Sequence, residues 1–330
     1  MSRSHKILLI LVFLLGGVGG FSLSYGLPKE VSVVQGMKDL IFNHDSVSAL
    51  IIGQLRLPRL ILAFLIGSAL GLSGANLQAV MRNPLADPGI LGITGWASLG
   101  AVIVFYTGLV PASSLIMTFA SFGGAFLASI VLFLLSRGGL MIMTLTGIAL
   151  STVSVALLSL ILNLVPSPYA RYEMMHWLMG SLNQVDLNDV LIASPGLIIG
   201  CIFLMKTRHS LDGLALGDDV AFTMGINPYH VHLLIIAGTA LSLGSAVAIA
   251  GNIAFIGLIV PHIIRYVVGF RPSDSLLPSA LLGGVLLVGA DMIVRFPVMG
   301  ADLPLGVVTT LIGTPCFLFQ IWKLHSRNVQ

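Results

Sequence analysis

Charge is what this chain has least of. Asp, Glu, Lys and Arg together make up 9% of its 330 residues, against about 25% in a soluble domain. Three stretches, Pro88–Ser136, Gly138–Ala170 and Val220–Ile264, contain none of them. One bilayer crossing needs ~20 apolar residues, so each stretch holds about two crossings, or one with a connecting segment. With 56% hydrophobic residues and a mean hydropathy of +1.02, the chain reads as a polytopic membrane protein. The apolar runs show no period-two alternation, which sets a membrane β-barrel aside and leaves helices. Only two cysteines occur, Cys201 and Cys316, both in apolar runs. They are expected as buried thiols, without a disulfide framework. No GxxxxGK[ST] phosphate loop, HExxH or paired-cysteine spacing is present, so nucleotide hydrolysis by the P-loop route is excluded. No catalytic residue, resident metal or cofactor is expected. Nor is a nucleic-acid partner: in this solvent a net charge of +3 reports basic cytoplasmic loops.

What is there divides into ten predicted spans: 7–27, 47–80, 90–108, 112–135, 141–165, 189–206, 230–249, 254–268, 275–295 and 304–323. They form one transmembrane domain over 1–330, contacting membrane lipid. The apolar stretch at the start is longer than a secretory signal core and lacks a clear cleavage site, so a retained first span is expected. The second span exceeds one crossing and is expected to tilt or protrude. The 37 glycines predict close helix packing. With the N-terminus inside, the inner ends carry Arg3, Lys6, Arg82, Arg137, Lys206, Arg208, Arg265, Arg271, Lys323 and Arg327. The outer side carries Lys29, Lys38, Arg56, Arg59, Arg171 and Arg295, fewer, as the positive-inside rule requires. The outer segment 167–189 contains Tyr172 and Trp177 and predicts a short interfacial helix. GSALGLSGANLQ (67–78) and GTALSLGSAVAI (238–249) look loosely alike on oppositely directed spans, as an inverted repeat would.

A few polar residues carry the chemistry. Asp291 is the acid placed well inside a span; it could bind a proton, or pair with a polar group near a helix end. The inner segment 211–228 is punctuated by Gly213, Gly217 and Gly225 into two short helical stretches. Asp218 and Asp219 begin the second, and Val220, Ala221, Met224 and Ile226 give it an apolar face. A helix so short needs something to pack on: the protein's own inner face, or a cytoplasmic partner. RLPR (56–59) and Arg295 set three arginines on the outer side. Each alone reads as interfacial snorkelling; together they suit an acidic partner. MRNPLADPG (81–89) and GNIAFIGLIVPH (251–262) break helices near span ends, and such backbone must be sheltered or line a cavity. His262 could ligate a haem iron or serve local structure.

These segments together resemble the FecCD family, the permease subunits of ABC importers for iron–siderophores, haem and vitamin B12. The matching pieces are RLPR (56–59), ALGLSGANLQAVMRNPLADPGILG (69–92), HWLMGSL (176–182), LALGDDVAFTMGI (214–226), GNIAFIGLIVPHIIR (251–265), LLPSALLGGVLLVGADMIVR (276–295) and LPLGVVTTLIGTP (303–315), in family order across nearly the whole chain. The resemblance implies an all-α permease of about ten transmembrane helices, the type II ABC importer fold, with both termini cytoplasmic. It implies a homodimer in the bacterial inner membrane, two cytoplasmic ATP-binding subunits, and a periplasmic or lipid-anchored binding protein that delivers an iron chelate. Arg56, Arg59 and Arg295 fall where the family docks its binding protein. Residues 212–227, with Leu214, Leu216, Gly217, Asp218, Asp219, Val220, Met224 and Gly225, match its ATPase-coupling helices. Its cytoplasmic gate maps to Asn83, Pro84 and Leu85 and to Leu140, Met141, Ile142 and Met143. The B12 permease has hydroxyls at the latter gate and this chain does not. Some haem permeases carry a second histidine where this chain has Asn252, which weakens a relay through His262. The expected cargo is therefore a siderophore first, haem second and B12 third. An ion-coupled carrier using Asp291 is the competing class, and a channel the third.

Overall fold

The computed structural model describes residues 3–27, 32–42, 46–108, 115–136, 140–295 and 303–328. Each predicted span coincides with a helix. Helix α1 (Arg3–Ser24) is followed by α2 (Val33–Phe42) and α3 (Val47–Leu50). α3 continues through a π-helical turn, Ile51–Arg56, into α4 (Leu57–Val80). Next come α5 (Ile93–Thr107), α6 (Leu115–Ser136), α7 (Leu140–Leu164), the short α8 (Pro168–Leu178) and α9 (Leu187–Lys206). Two short helices, α10 (Ser210–Leu214) and α11 (Asp218–Thr223), precede α12 (Pro228–Ala250), α13 (Ile256–Val268), α14 (Pro272–Val294) and α15 (Leu305–Asn328). Seven of the helical segments are long and apolar enough to cross a bilayer; three more apolar helices, in α5, α13 and α15, are shorter. Every backbone polar group must be satisfied internally in hydrocarbon, which is why apolar runs of this length become helices.

Local chemistry sets the ends. Proline stands in the first turn of α8, α12 and α14, where its missing N–H costs nothing, while Pro58 of α4 follows directly on the π-helical turn. Ser167 caps α8, Asn227 caps α12, and Asp186 with Asp189 forms a reciprocal capping box on α9.

Helices α4 and α12, which carry the two similar sequence stretches, are the most buried of the long helices, whereas α7 keeps nearly all of its surface outside. α4 packs along α14 and α13, and α12 along α9 and α6. The α4–α14 crossing depends on Gly67 and Gly283, where a Cβ on either would collide with the other's carbonyl. A Cβ on Gly74 would likewise collide with the Gly257 carbonyl of α13. Cys201 is half-buried, but Cys316 is exposed on α15, contrary to the expectation of two buried thiols. An apolar run does not distinguish a helix face turned to protein from one turned to lipid.

Candidate functional site

Three regions carry the polar chemistry, and α4 and α14 run between two of them. At the end predicted to face outward, Arg59 Nε donates to both oxygens of Asp291, at 2.7 and 2.8 Å. Arg295 donates to Asp291 Oδ2 from Nη2 at 2.6 Å and from Nε at 3.0 Å. Its Nη1 reaches the Ser22 carbonyl of α1 at 2.8 Å. The side chains of Arg59, Asp291 and Arg295 are 12%, 1% and 8% exposed. Asp291 therefore lies in the last turn of α14 and is paired, the second of its two predicted readings. Arg59 and Arg295, expected among outward docking residues, point onto that carboxylate. Arg56, at the end of the π-turn, is half-buried and donates to the Gly26 carbonyl at 2.9 Å.

At the opposite end, predicted to face inward, α10 and α11 form the expected pair of short helices. Gly217 and Gly225 take φ of +127° and +79°, conformations that favour glycine. Two anchors hold the pair. Arg82, itself at φ +47°, donates to the Leu214 carbonyl at 3.2 Å and to Asp218 at 3.4 Å, tying α11 to the end of α4. Asp212 accepts from the Ser273 amide, the Ser273 hydroxyl and Arg271 Nε, at 2.9, 2.8 and 2.7 Å, tying α10 to the start of α14. Burial alone would raise the Asp212 carboxyl, but the Ser273 hydrogen bonds and the adjacent Arg271 hold it below the ordinary carboxylate range. Leu211, Leu214 and Ala221 pack inward. Leu216, Val220, Phe222 and Met224 stay exposed, Phe222 and Met224 at 72% and 58%. The segment thus packs on its own protein and also leaves an apolar face uncovered. Phe222 is the member that sequence reasoning did not single out.

Between these ends lies a cavity of about 670 Å³. Its walls come from α4, α5, α7, α13 and α15, from Leu178 at the end of α8, and from two non-helical stretches, 81–92 and 251–255. α5 and α13 have 15 and 13 residues, or about 22 and 20 Å at 1.5 Å per residue. Both fall short of a ~30 Å hydrocarbon core, so irregular backbone completes their paths and lines the cavity. Leu70, Pro88, Ile90, Leu158, Phe255 and Phe317 supply apolar wall, and Thr94, Ser98, Ser151, Ser154 and Thr314 supply hydroxyls. Asp87 and Asn252 also line it. Phe255 holds φ at +68°, an outlier for a bulky residue, and abuts Gly313 of α15. A smaller cavity of about 430 Å³ lies beside α8, walled by Tyr172, Glu173, His176, Trp177 and Asp189.

Of the predicted gate, Leu85 lines the large cavity, and Asn83 fixes the turn by accepting from the Leu85 amide at 3.0 Å. Pro84 is exposed in that turn. Met141 and Ile142 are exposed, and Met143 is buried. The Leu140 side chain, Arg137 and Lys29 lie outside the described residues, as do the side chains of Arg3, Lys323 and Arg327. His262 is buried edge-on to Tyr266, with ring centroids 5.1 Å apart, and lines neither cavity. Sequence reasoning missed Asp87, Phe255 and the hydroxyl band. Asp87 and Phe255 do lie in the two helix-breaking motifs, which was the available signal.

The model of the FecCD transport family matches residues 5–323. The hemin transport system permease protein of Yersinia pestis is 36% identical, over 98% of this chain and 95% of that protein. The Fe(3+)-citrate import system permease protein of Bacillus subtilis is 35% identical, over 100% and 97%. The cobalamin import system permease protein of Halobacterium salinarum is 34% identical, over 93% and 82%. A solved structure, titled as an inward-facing conformation of a "putative metal-chelate type ABC transporter", superposes with a TM-score of 0.84 at 28% identity, covering 96% of this chain and 99% of that one. The chain is a multi-pass membrane permease, and it belongs to the FecCD transport family.

Proposed function

We propose that this chain is the membrane subunit of an importer that moves an iron chelate across the bacterial inner membrane, powered by two separate cytoplasmic ATPase subunits. The observation that carries the reading is the α10–α11 element. It offers Leu216, Val220, Phe222 and Met224 to a partner while Arg82 and Asp212 fasten it to α4 and α14. A push on its apolar face is delivered to the inner ends of two helices that are locked together at Gly67 and Gly283. The same helices carry Arg59, Asp291 and Arg295 at their outer ends. Motor stroke and outer mouth are thereby joined by one stiff pair, which suits alternating access.

The working unit is a homodimer of ten-span subunits with cytoplasmic termini, served by a periplasmic or lipid-anchored binding protein. Among the described residues, Arg56, Arg59 and Arg295 gather at one carboxylate, Asp291, and this excess of positive charge favours an acidic docking surface. Arg56, the member outside the Asp291 pair, is its leading contact. Among cargoes a siderophore ranks first. Asn at position 252, with a His262 that lines neither cavity, supports ranking haem second. The lack of a hydroxyl from Leu140 to Met143, the predicted gate, supports ranking cobalamin third. An ion-coupled carrier loses its motive, because Asp291 is committed to two arginines.

Phe222→Asp tests the coupling face. The variant should remain in the membrane at normal abundance but lose its ATPase subunits on co-purification, with uptake falling about tenfold or more. Normal ATPase retention together with normal uptake would refute the assignment.

A further inference from the structure

The second cavity, beside α8, lies at the end predicted to face outward, because α9 starts there and finishes at the α10–α11 pair. Positions 169, 172, 173 and 176 follow the spacing of one helix face, and Tyr169, Tyr172, Glu173 and His176 of α8 all wall the cavity. Other sides of the helix are occupied. Met174 is buried with Val102 and Val165, and Arg171 Nη2 donates to the Val165 carbonyl at 3.0 Å. The turn after α8 is fastened as well. The Ser181 amide donates to the Ala250 carbonyl of α12 at 3.0 Å, and the Leu305 and Gly306 amides of α15 donate to the Gly180 and Met179 carbonyls at 2.8 and 3.1 Å. The cavity is therefore preformed by a pinned helix and a pinned turn.

Its chemistry suits an organic cation. Phe105, Tyr169, Tyr172 and Trp177 bring rings to the wall, and Glu173 and Asp189 bring carboxylates. Among the described residues, no Lys or Arg lines it. Tyr169 and Tyr172 are 76% and 67% exposed. Glu173 is exposed too, and accepts no hydrogen bond from a described residue. A face turned to lipid would not carry an ionised carboxylate, nor the Asn183 and Gln184 beside it, so this wall meets water.

We propose that this cavity is a second docking point for the binding protein, one that receives a lysine side chain. The proposal rests on the reading of the chain as a permease served by such a protein, and it adds a contact of opposite sign. The Arg56, Arg59 and Arg295 corner stands at the same end, around the start of α4 and the end of α14, and suits an acidic group. That end thus presents a basic corner and an acidic cavity lined with rings. A partner bearing both an acid and a lysine answers both, and opposite charges at two separate points fix its register. An ammonium over tyrosine and tryptophan rings gains cation–π attraction. The flexible stem of lysine lies along the ring faces, and Glu173 supplies the counter-charge. A volume of about 430 Å³ holds one such side chain with water around it.

The test uses the permease with its ATPase subunits in lipid nanodiscs. Trp177 reports occupancy by its fluorescence, and Trp177→Phe should remove the signal, which assigns it among the three tryptophans of the chain. The small probes are Nα-acetyl-lysine methylamide and its Nε-acetylated form, which differ in the ammonium alone. The charged probe should bind saturably, at least about fivefold tighter than the neutral one. Tyr172→Leu should erase that difference, and Tyr172→Phe, which keeps the ring, should retain it. Docking is then measured with the binding protein, either native or with its lysines acetylated and its cargo binding intact. Glu173→Gln should weaken docking of the native binding protein about fivefold at low salt, and of the acetylated one by less than about twofold. Glu173→Lys should weaken the native pair about tenfold or more. No Trp177 response to the charged probe, or equal binding of both probes, would overturn the proposal. So would an equal cost of Glu173→Gln for both forms of the binding protein, which would assign the cavity to another amine. A binding protein that fails to dock on the native permease defeats the importer reading; docking that Glu173→Lys leaves unchanged defeats the second contact alone.

Discussion

Replacing Asp291 by Asn should destabilise the protein far more than the loss of one exposed ion pair. The substitution keeps shape and removes the carboxylate that two guanidiniums, 12% and 8% exposed, share. Removing one partner of a buried pair costs about 3–5 kcal/mol, because the charge left behind stays desolvated. The remaining arginines also repel each other across the vacated carboxylate. At about 2.1 cal/mol/K of unfolding entropy per residue, about 4 kcal/mol lowers the Tm of 330 residues by about 6 °C. Thermal unfolding of the purified protein, followed by intrinsic fluorescence in one detergent, measures this directly. The triple variant Asp291→Asn, Arg59→Gln, Arg295→Gln should recover part of the loss, since it removes the two charges that the single substitution strands. By contrast, Arg82 and Asp218 are 39% and 58% exposed, so Asp218→Asn should shift Tm by no more than about 1 °C. An unchanged or raised Tm for Asp291→Asn, or a triple variant less stable than the single, would refute the reasoning.

Three further outcomes are expected. Gly217→Pro removes the amide that donates to Leu214 at 3.1 Å and forbids a φ of +127°; uptake should fall about tenfold or more at normal membrane abundance, measured with radioactive iron chelate. Arg56→Glu should weaken docking of the binding protein about tenfold at low salt and by less at high salt, read by surface-immobilised binding, with no salt dependence counting against a docking role. Asp212 has its carboxyl held below the ordinary range, so its stabilising contribution is present above about pH 4 and is lost as pH falls through the lower, folded-state value. The Tm gap between the native protein and Asp212→Asn should therefore be flat from pH 7 to pH 5 and should close at lower pH.

Much of the fold was legible because the bilayer imposes a simple rule on long uncharged runs. The ten predicted spans coincide with helices, a helix stands at Pro168–Leu178 where a short one was expected, and Gly217 and Gly225 follow the two short helices, whereas Gly213 lies inside α10. What one sequence could not reveal was pairing. Arg59 and Asp291 are 232 positions apart, and nothing local announces that they share one hydrogen-bonded corner. The outward arginines were legible as a charge anomaly, but their partner was not. The same holds for Asp87, which reads locally as a turn residue before proline. Its place at the cavity depends on how α13 crosses α4 at Gly74 and Gly257. Exposure was the other blind spot. Phe222 looks like any apolar side chain in the sequence, and only packing shows that Ala221 took the inner side and left it uncovered.

Uptake into proteoliposomes tests the central claim most directly, that this chain is a passive conduit driven through residues 210–223. Vesicles should contain the permease with or without its ATPase subunits, and cargo should be presented on the binding protein. The account predicts chelate accumulation only with the ATPases and ATP, undiminished when the proton gradient is collapsed. Accumulation against a concentration gradient by the permease alone would contradict it.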